Sequence, residues 1–406
     1  MNSPPKPPTT INSRGHPTEF EQIIQEKSHN FVGREFVFTA INNFLHRHNQ
    51  GYFTIIGAPG SGKSAIFAKY VTNNLQVIYY NAELEGKNRA DEFLRNICTQ
   101  LINQYSLNYT SLPDNATEGS WFFSSLLQQI SDELEPDQKL IIAIDGLNCI
   151  DRNSQPPGTN LFYLPRYLPD GVYFLLTRRP FLREKSGLLI ETPSQSLDLA
   201  DYPEENRRDI QAYIQNYLTP QEIPPTPLFK GGNVSPLLTA REDLKSWLSN
   251  HHINEQEFCV DAKQLAVRHR LTTLSENNFM YLSQIISAIP SVSYANAENF
   301  YPESFQSNQL PPGLEAYYQQ HLHKMFPPEQ GTEHSTDVLN VLIQQQTVIS
   351  VEAIAQIIDT DEYEVEEVLE NWLEFLQQKR IASETHYSLY HSNFRDWLGR
   401  QAFKTF

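Results

Sequence analysis

Eight consecutive residues, Gly57-Ala58-Pro59-Gly60-Ser61-Gly62-Lys63-Ser64, set glycines, a lysine and a hydroxyl in the pattern G-x-x-x-x-G-K-[ST]. Glycines let a backbone wrap closely around phosphate oxygens with its N–H groups turned inward. A helix opening near Gly62 and running into Ala65 would add the positive end of its dipole. Lys63 would reach the outer phosphates, and Ser64 would offer its hydroxyl to Mg²⁺. The spacing predicts a P-loop for a nucleoside triphosphate, with Gly57, Pro59, Gly60, Ser61, Gly62, Lys63, Ser64 and Ala65 around ATP or ADP and Mg²⁺. An ordinary glycine-rich turn is the plain alternative. Against it, the motif follows the apolar run Tyr52–Ile56 and precedes the helical run Ala65–Val71, as the chemistry requires.

A second carboxylate element ends the run Leu140-Ile141-Ile142-Ala143-Ile144-Asp145. An aspartate at the end of a buried strand beside a P-loop can hold Mg²⁺ through its water shell, so Asp145 joins Ser64 as a candidate metal residue. Strands also often end in aspartate simply as a turn residue, and only the pairing with the P-loop favours the metal role. No other cluster suggests a metal site. Cys98, Cys149 and Cys259 lie far apart and leave one thiol unpaired, which fits reduced cysteines of a cytoplasmic protein.

Strands must carry these loops. Tyr52–Ile56, Val77–Tyr80, Leu140–Ile144 and Val172–Leu176 read as buried strands, alternating with helical stretches at Asp91–Tyr105 and Ser120–Leu134. That alternation predicts an α/β domain over 20–196, a mainly parallel sheet with helices on both faces. Phe20–His48 reads as a helical entry, and 1–19 as a disordered proline-rich tail. Over 197–332 the strand signal is lost. Helices are expected at Asp209–Leu218, Ala262–Arg270, Asn277–Ile289 and Gly313–Met325, with a loop over Pro220–Pro236. From 333 to 406 the pattern is that of a winged helix. Helices Asp337–Gln345, Val351–Ile358 (N-capped by Ser350) and Asp361–Gln377 precede a hairpin of Ile381–Ser383 with His386–Tyr390, and a final helix starts at Asn393.

Composition narrows the function classes. The 406 residues are enough for two or three domains, and no apolar run approaches the roughly 20 residues that cross a bilayer. The amino terminus has no apolar stretch that would serve as a secretory signal. A formal net charge of −17 opposes nucleic acid, whose binding draws on clustered Lys and Arg.

Taken in order, these residues resemble the NACHT-type signal-transduction ATPases, a STAND branch related to AAA+ proteins and common in bacteria, over roughly 30 to 405. Phe31-Val32-Gly33-Arg34-Glu35 resembles the element that lies against the adenine, which implies that Val32 and Arg34 bind nucleotide. Leu176-Thr177-Arg178-Arg179-Pro180 resembles the sensor strand whose arginine faces the γ-phosphate, the position Arg179 fits best. Leu310-Pro311-Pro312-Gly313-Leu314 through Tyr317-Tyr318 and Met325 is similar to the family's helical region. Tyr390-His391-Ser392-Asn393-Phe394-Arg395-Asp396-Trp397-Leu398 resembles the end of its winged helix, where a histidine reaches the β-phosphate of ADP. The resemblance therefore places His391 at the nucleotide.

One departure bears on catalysis. Many members of the family follow the metal aspartate with Gly-Leu/Phe-Asp-Glu, whose acids help activate water. Here Asp145 is followed by Gly146, Leu147, Asn148 and Cys149. Asn148 can orient water but cannot take its proton, so hydrolysis is expected to be slow, with Asp145, Arg179 and Asn148 as the catalytic set. Asp151 and Glu83 are the nearest substitutes in sequence. The resemblance implies a switch that closes on ADP and self-associates on ATP, in bacterial signalling or anti-phage defence. Such proteins carry an effector and a repeat-based sensor beside the core; neither is recognisable here, so the sequence is expected either to be a fragment or to work with a separate effector or sensor protein. A DNA-associated AAA+ regulator and a nucleotide-stabilised scaffold without turnover are the alternatives. Acidic residues at Asp361, Glu362, Glu364, Glu366, Glu367 and Glu370 on the third helix of the winged-helix pattern argue against DNA.

Overall fold

The computed structural model describes residues 17–218, 269, 271–288, 312–327, 334–345 and 347–402. The segment 1–16, the Pro220–Pro236 loop, most of the expected helix Ala262–Arg270, Cys259, and Leu310 with Pro311 lie outside the described residues. The chain divides into two compact units. One comprises Met1–Ala58 with Gly62–Tyr202, the other Pro59–Ser61 with Pro203–Phe406.

In the first unit the strands β1 (Gly51–Ile56), β2 (Ile78–Asn81), β3 (Leu140–Asp145), β4 (Val172–Arg178) and β5 (Ser194–Asp198) form one sheet in the order β2-β3-β4-β1-β5. All four pairings are parallel. Every residue of β3 and of β4 is buried, which requires cover on both faces of the sheet. Helices α3 (Lys63–Asn73), α4 (Ala90–Gln104) and α5 (Trp121–Glu133) occupy the crossovers between strands. Phe93 lies between them and the sheet, stacked on Phe162 at 4.4 Å and edge-on to Tyr80 and Phe123. Such pairs add to area burial by about 0.5–1.5 kcal/mol each.

The structure corrects the reading of the entry segment. Thr18 and Glu19, placed by sequence in a disordered tail, open helix α1 (Thr18–Ser28). Two contacts hold this helix to the core: the Phe20 ring packs on Tyr79 and Tyr80, and Glu19 pairs with the buried Lys87 at 2.8 Å. The single helical segment expected over Phe20–His48 is two helices, α1 and α2 (Glu35–Arg47). Left-handed backbone at Asn30, Gly33 and Arg34 breaks them apart, a conformation no α-helix continues through. Strand β5 went unforeseen because Ser194-Gln195-Ser196-Leu197-Asp198 is a polar edge strand in which only Leu197 is buried.

The second unit contains α6 (Pro203–Leu218), α7 (Phe279–Ala288), α8 (Pro312–Met325) and α9 (Ser335–Gln344). After them come β6 (Ile349–Ser350), α10 (Val351–Ile358), α11 (Glu362–Asn371), β7 (Leu376–Ile381), β8 (Glu384–Leu389) and α12 (Ser392–Ala402). The three strands form an antiparallel sheet in the order β6-β8-β7. Ser350 caps α10 as expected, its Oγ accepting from Ala353 N at 3.3 Å. The helix expected over Asp361–Gln377 stops at Asn371, with Trp372 as its C-cap, and a 3₁₀ turn then leads into β7. Trp372, Leu373, Phe375 and Leu376 are buried at a spacing that mimics a continuing helix. The Trp372 indole N–H donates to Met325 O at 2.8 Å, a partner too distant in sequence for periodicity to show.

Candidate functional site

Parallel strands leave their loops on one edge of a sheet, where α/β folds bind ligands. At that edge β1 runs into Gly57, β3 ends at Asp145, and β4 ends at Arg178 before Arg179. Ile56 sits opposite Arg178, and Asn81 opposite Asp145. The register gathers the predicted chemistry without any long-range loop packing.

The P-loop has the backbone its glycines permit. Gly60 and Gly62 take φ of +79° and +90°, and Lys63 begins α3 with Gly62 as N-cap. Gly57 N donates to Arg178 O at 3.2 Å, tying the loop to the end of β4. Lys63 Nζ lies inside the loop, donating to Gly57 O at 2.6 Å and Ala58 O at 2.9 Å. Burial lowers its pKa to about 8, and nearby Arg179 pushes the same way, while Glu83, Asp145 and Asp198 oppose both. Of the two arginines after β4, it is the charge of Arg179 that acts on the lysine. Arg178 turns elsewhere, its guanidinium 3.4 Å over the Phe181 ring and donating to Ser186 O at 3.1 Å. The crest, Pro59–Ser61, belongs to the second unit. There Asn278 Nδ2 donates to Pro59 O at 3.0 Å, and Met280 N donates to Gly60 O at 3.1 Å. A Cβ on Gly60 would lie 2.2 Å from Asn278 Oδ1, so only glycine fits.

Asp145 is buried and held by several donors. Thr177 Oγ1 donates to Oδ1, while Tyr79 Oη and Asn81 Nδ2 reach Oδ2 at 3.3 and 3.4 Å. Burial raises the Asp145 carboxyl above its ordinary pKa, and Glu83 raises it further; hydrogen bonds from Thr177 and Ser64 act in the opposite direction. Ser64 and Asp145 thus stand as a hydroxyl and a carboxylate in direct contact, the donor set that suits Mg²⁺ beside phosphates. With glycine at the tight turns and a lysine inside the loop, the residues present fit a nucleoside triphosphate with Mg²⁺. When bound, the ion would neutralise phosphate charge.

Other predicted residues stand apart from this cluster in what they do. Asn148 lies in a 3₁₀ turn after Gly146 and donates to Cys149 Sγ at 3.3 Å. Val32 is half-buried and Arg34 buried, the latter at φ +67° as N-cap of α2, with its guanidinium 5.8 Å from the Phe36 ring. His391 belongs to the second unit and is buried. Its Nδ1 accepts from Asn393 N at 3.0 Å, so the proton sits on Nε2, which donates to Ser275 O at 3.2 Å. Ala65 lies in the first turn of α3, as expected. Tyr79, Asn81 and Thr177 had no role toward Asp145 legible in the sequence, because they reach it only through the pairing of β2 and β4 with β3.

Residues 38–161 match the family model described as nephrocystin 3, N-terminal. No curated protein matches the chain. Three solved structures are similar over most of this chain at low identity. A chain of Drosophila ORC bound to DNA is 11% identical at TM-score 0.41, covering 94% of this chain and 98% of that one. A STAND protein with a tetratricopeptide repeat sensor from Pyrococcus horikoshii is 17% identical at TM-score 0.33, covering 91% of this chain and 42% of its own. A Thermotoga maritima RuvB mutant is 10% identical at TM-score 0.30, covering 88% and 92%. The P-loop, the Ser64–Asp145 pair and the parallel sheet that carries them define a P-loop NTPase fold.

Proposed function

We propose that this chain is a nucleotide-driven switch ATPase that closes on ADP, self-associates on ATP and serves bacterial signalling or anti-phage defence. The observation that carries its nucleotide half is the meeting of Lys63, Ser64, Asp145 and Arg179 at the loop edge of one parallel sheet. Three of the four are charged, and a phosphate chain with Mg²⁺ supplies charges of both signs to match them. We read residues 333–406 as a winged helix that acts as an intramolecular lid, and Val32 and Arg34 as the adenine side of the site. His391 is read as the histidine that contacts ADP in the closed state. Reaching a phosphate requires its Nε2–H to leave Ser275 O, so the contact is exclusive with the bond seen here.

Calorimetry on folded protein tests the nucleotide reading. A hydrogen bond to a charged group contributes about 1.5–3 kcal/mol, so Lys63→Ala should weaken ATP binding by roughly 10- to 100-fold. Asp145→Ala should chiefly remove the Mg²⁺ dependence of that binding. Unchanged ATP affinity in Lys63→Ala would remove the P-loop from the site.

A further inference from the structure

An ATPase of this kind needs a group that takes a proton from the attacking water, and neither Asn148 nor Cys149 is a carboxylate. Asp151 already has a local duty, its Oδ1 accepting from Asn153 N at 3.0 Å to cap a short 3₁₀ turn. Glu83 is placed differently. Strands β2 and β3 pair with Asn81 opposite Asp145, and Ala82 N donates to Asp145 O at 2.9 Å. The chain leaving β2 is therefore stitched to the chain leaving β3, directly beside the metal aspartate. Asn81 Oδ1 then accepts from Glu83 N at 2.8 Å and fixes the turn.

The Glu83 side chain crosses Gly146. A Cβ built on Gly146 would lie 2.6 Å from Glu83 Cγ and 3.5 Å from its carboxylate carbon. Glycine at 146 is thus the clearance through which this carboxylate passes. Beyond it the residue is solvent-exposed, and its charge is felt by both Asp145 and Lys63. An exposed carboxylate on the turn stitched to the end of β3 at Asp145 is placed to take a water proton.

We propose that Glu83 is the catalytic carboxylate that activates the hydrolytic water, in place of the acidic pair missing after Asp145. This rests on the reading of the P-loop as an ATP site. In the step, one Glu83 Oε takes a proton from water while the water oxygen bonds to the γ-phosphorus. The bond from that phosphorus to the bridging oxygen breaks, and ADP leaves with the electron pair. Glu83 then returns its proton to the departing phosphate or to solvent.

Two variants, Glu83→Gln and Asp151→Asn, separate the alternatives. Each is mixed with ATP and Mg²⁺ under single-turnover conditions, and nucleotide is recovered by acid denaturation and separated by chromatography. ATP affinity is measured in parallel by calorimetry. Glu83→Gln should bind ATP within about threefold of wild type, as expected for a group that acts on the water, yet cleave it at least about 100-fold more slowly, the low end of general-base contributions. Protein carrying that change should retain ATP where wild type holds ADP. Asp151→Asn should still yield ADP. Wild-type cleavage in Glu83→Gln, or no cleavage by wild type itself, overturns the assignment while leaving nucleotide binding intact. Absence of ATP binding in wild type instead defeats the P-loop reading on which the assignment stands.

Discussion

A single methyl group at Gly146 probes the site more gently than removal of a charge. Gly146 has φ of +82°, a conformation that costs an L-residue about 1–2 kcal/mol. Its missing side chain is also the space taken by Glu83 Cγ. Gly146→Ala should therefore lower the melting temperature and displace Glu83, while Lys63, Ser64 and the loop glycines stay in place. The expected outcome is ATP binding close to wild type with single-turnover cleavage reduced by tenfold or more. Unimpaired cleavage in Gly146→Ala would mean that the path of Glu83 past residue 146 has no bearing on catalysis. Arg179 belongs to the same scale, since the structure turns Arg178 onto Phe181 while the charge of Arg179 acts on Lys63.

Among elements, the end of β8 and the start of α12 carry the buried histidine that the sequence singled out. Burial holds the His391 imidazole below its ordinary pKa of 6.5, and the neighbouring acids Glu276 and Asp396 and the Ser275 carbonyl only partly offset that. Glu276 also accepts from Ser392 N at 3.0 Å and from Ser392 Oγ, so the acid is tied into the same corner. An unfolded chain protonates this histidine near pH 6.5, whereas the folded chain does so only at lower pH. Between those values the unfolded state binds more protons, so stability rises with pH. The His391 contribution is full above about pH 6.5 and is lost as pH falls toward the folded pKa. Thermal unfolding at pH 7.5 and 5.5 should show a drop on acidification that shrinks in His391→Gln. An equal drop in both proteins would assign the acid sensitivity to other groups. Strands β1, β3 and β4 were legible because they are unbroken apolar runs, and the P-loop because its glycines, lysine and serine are required by phosphate geometry. Strand β5 was not legible, since an edge strand with one buried residue has no alternation to detect. The end of α11 was also hidden, because a 3₁₀ turn and a strand continued its apolar spacing. Partners of Asp145 on β2 and β4 depend on strand order, which no local pattern contains.

For the whole molecule, charge decides between two kinds of partner. The chain carries a formal net charge of −17, and helix α11 adds exposed Asp361, Glu362, Glu366 and Glu367 to the second unit. Its opposite face buries Val365, Val368 and Leu369 in the protein, so the acidic face is the one left for contact. DNA binding to such a surface would bring carboxylates against phosphates, where basic residues are needed. Self-association meets a milder form of the same repulsion, because copies of an acidic chain repel one another across solvent. Salt screens that repulsion, with a Debye length of about 8 Å at 0.15 M and about 3 Å at 1 M. The two processes therefore depend on salt with opposite sign: DNA binding weakens as salt rises, whereas ATP-driven assembly should strengthen. Light scattering with ATP and Mg²⁺ should report larger assemblies at 0.5 M than at 0.05 M salt, with ADP holding the chain in smaller species. Lys63→Ala should abolish the ATP response at every salt concentration. A mobility-shift assay at physiological salt should show no duplex binding. A specific complex with duplex DNA at physiological salt that is lost on mutating α11 would instead support the DNA-associated regulator. Assembly that is indifferent to nucleotide would remove the switch and leave a scaffold.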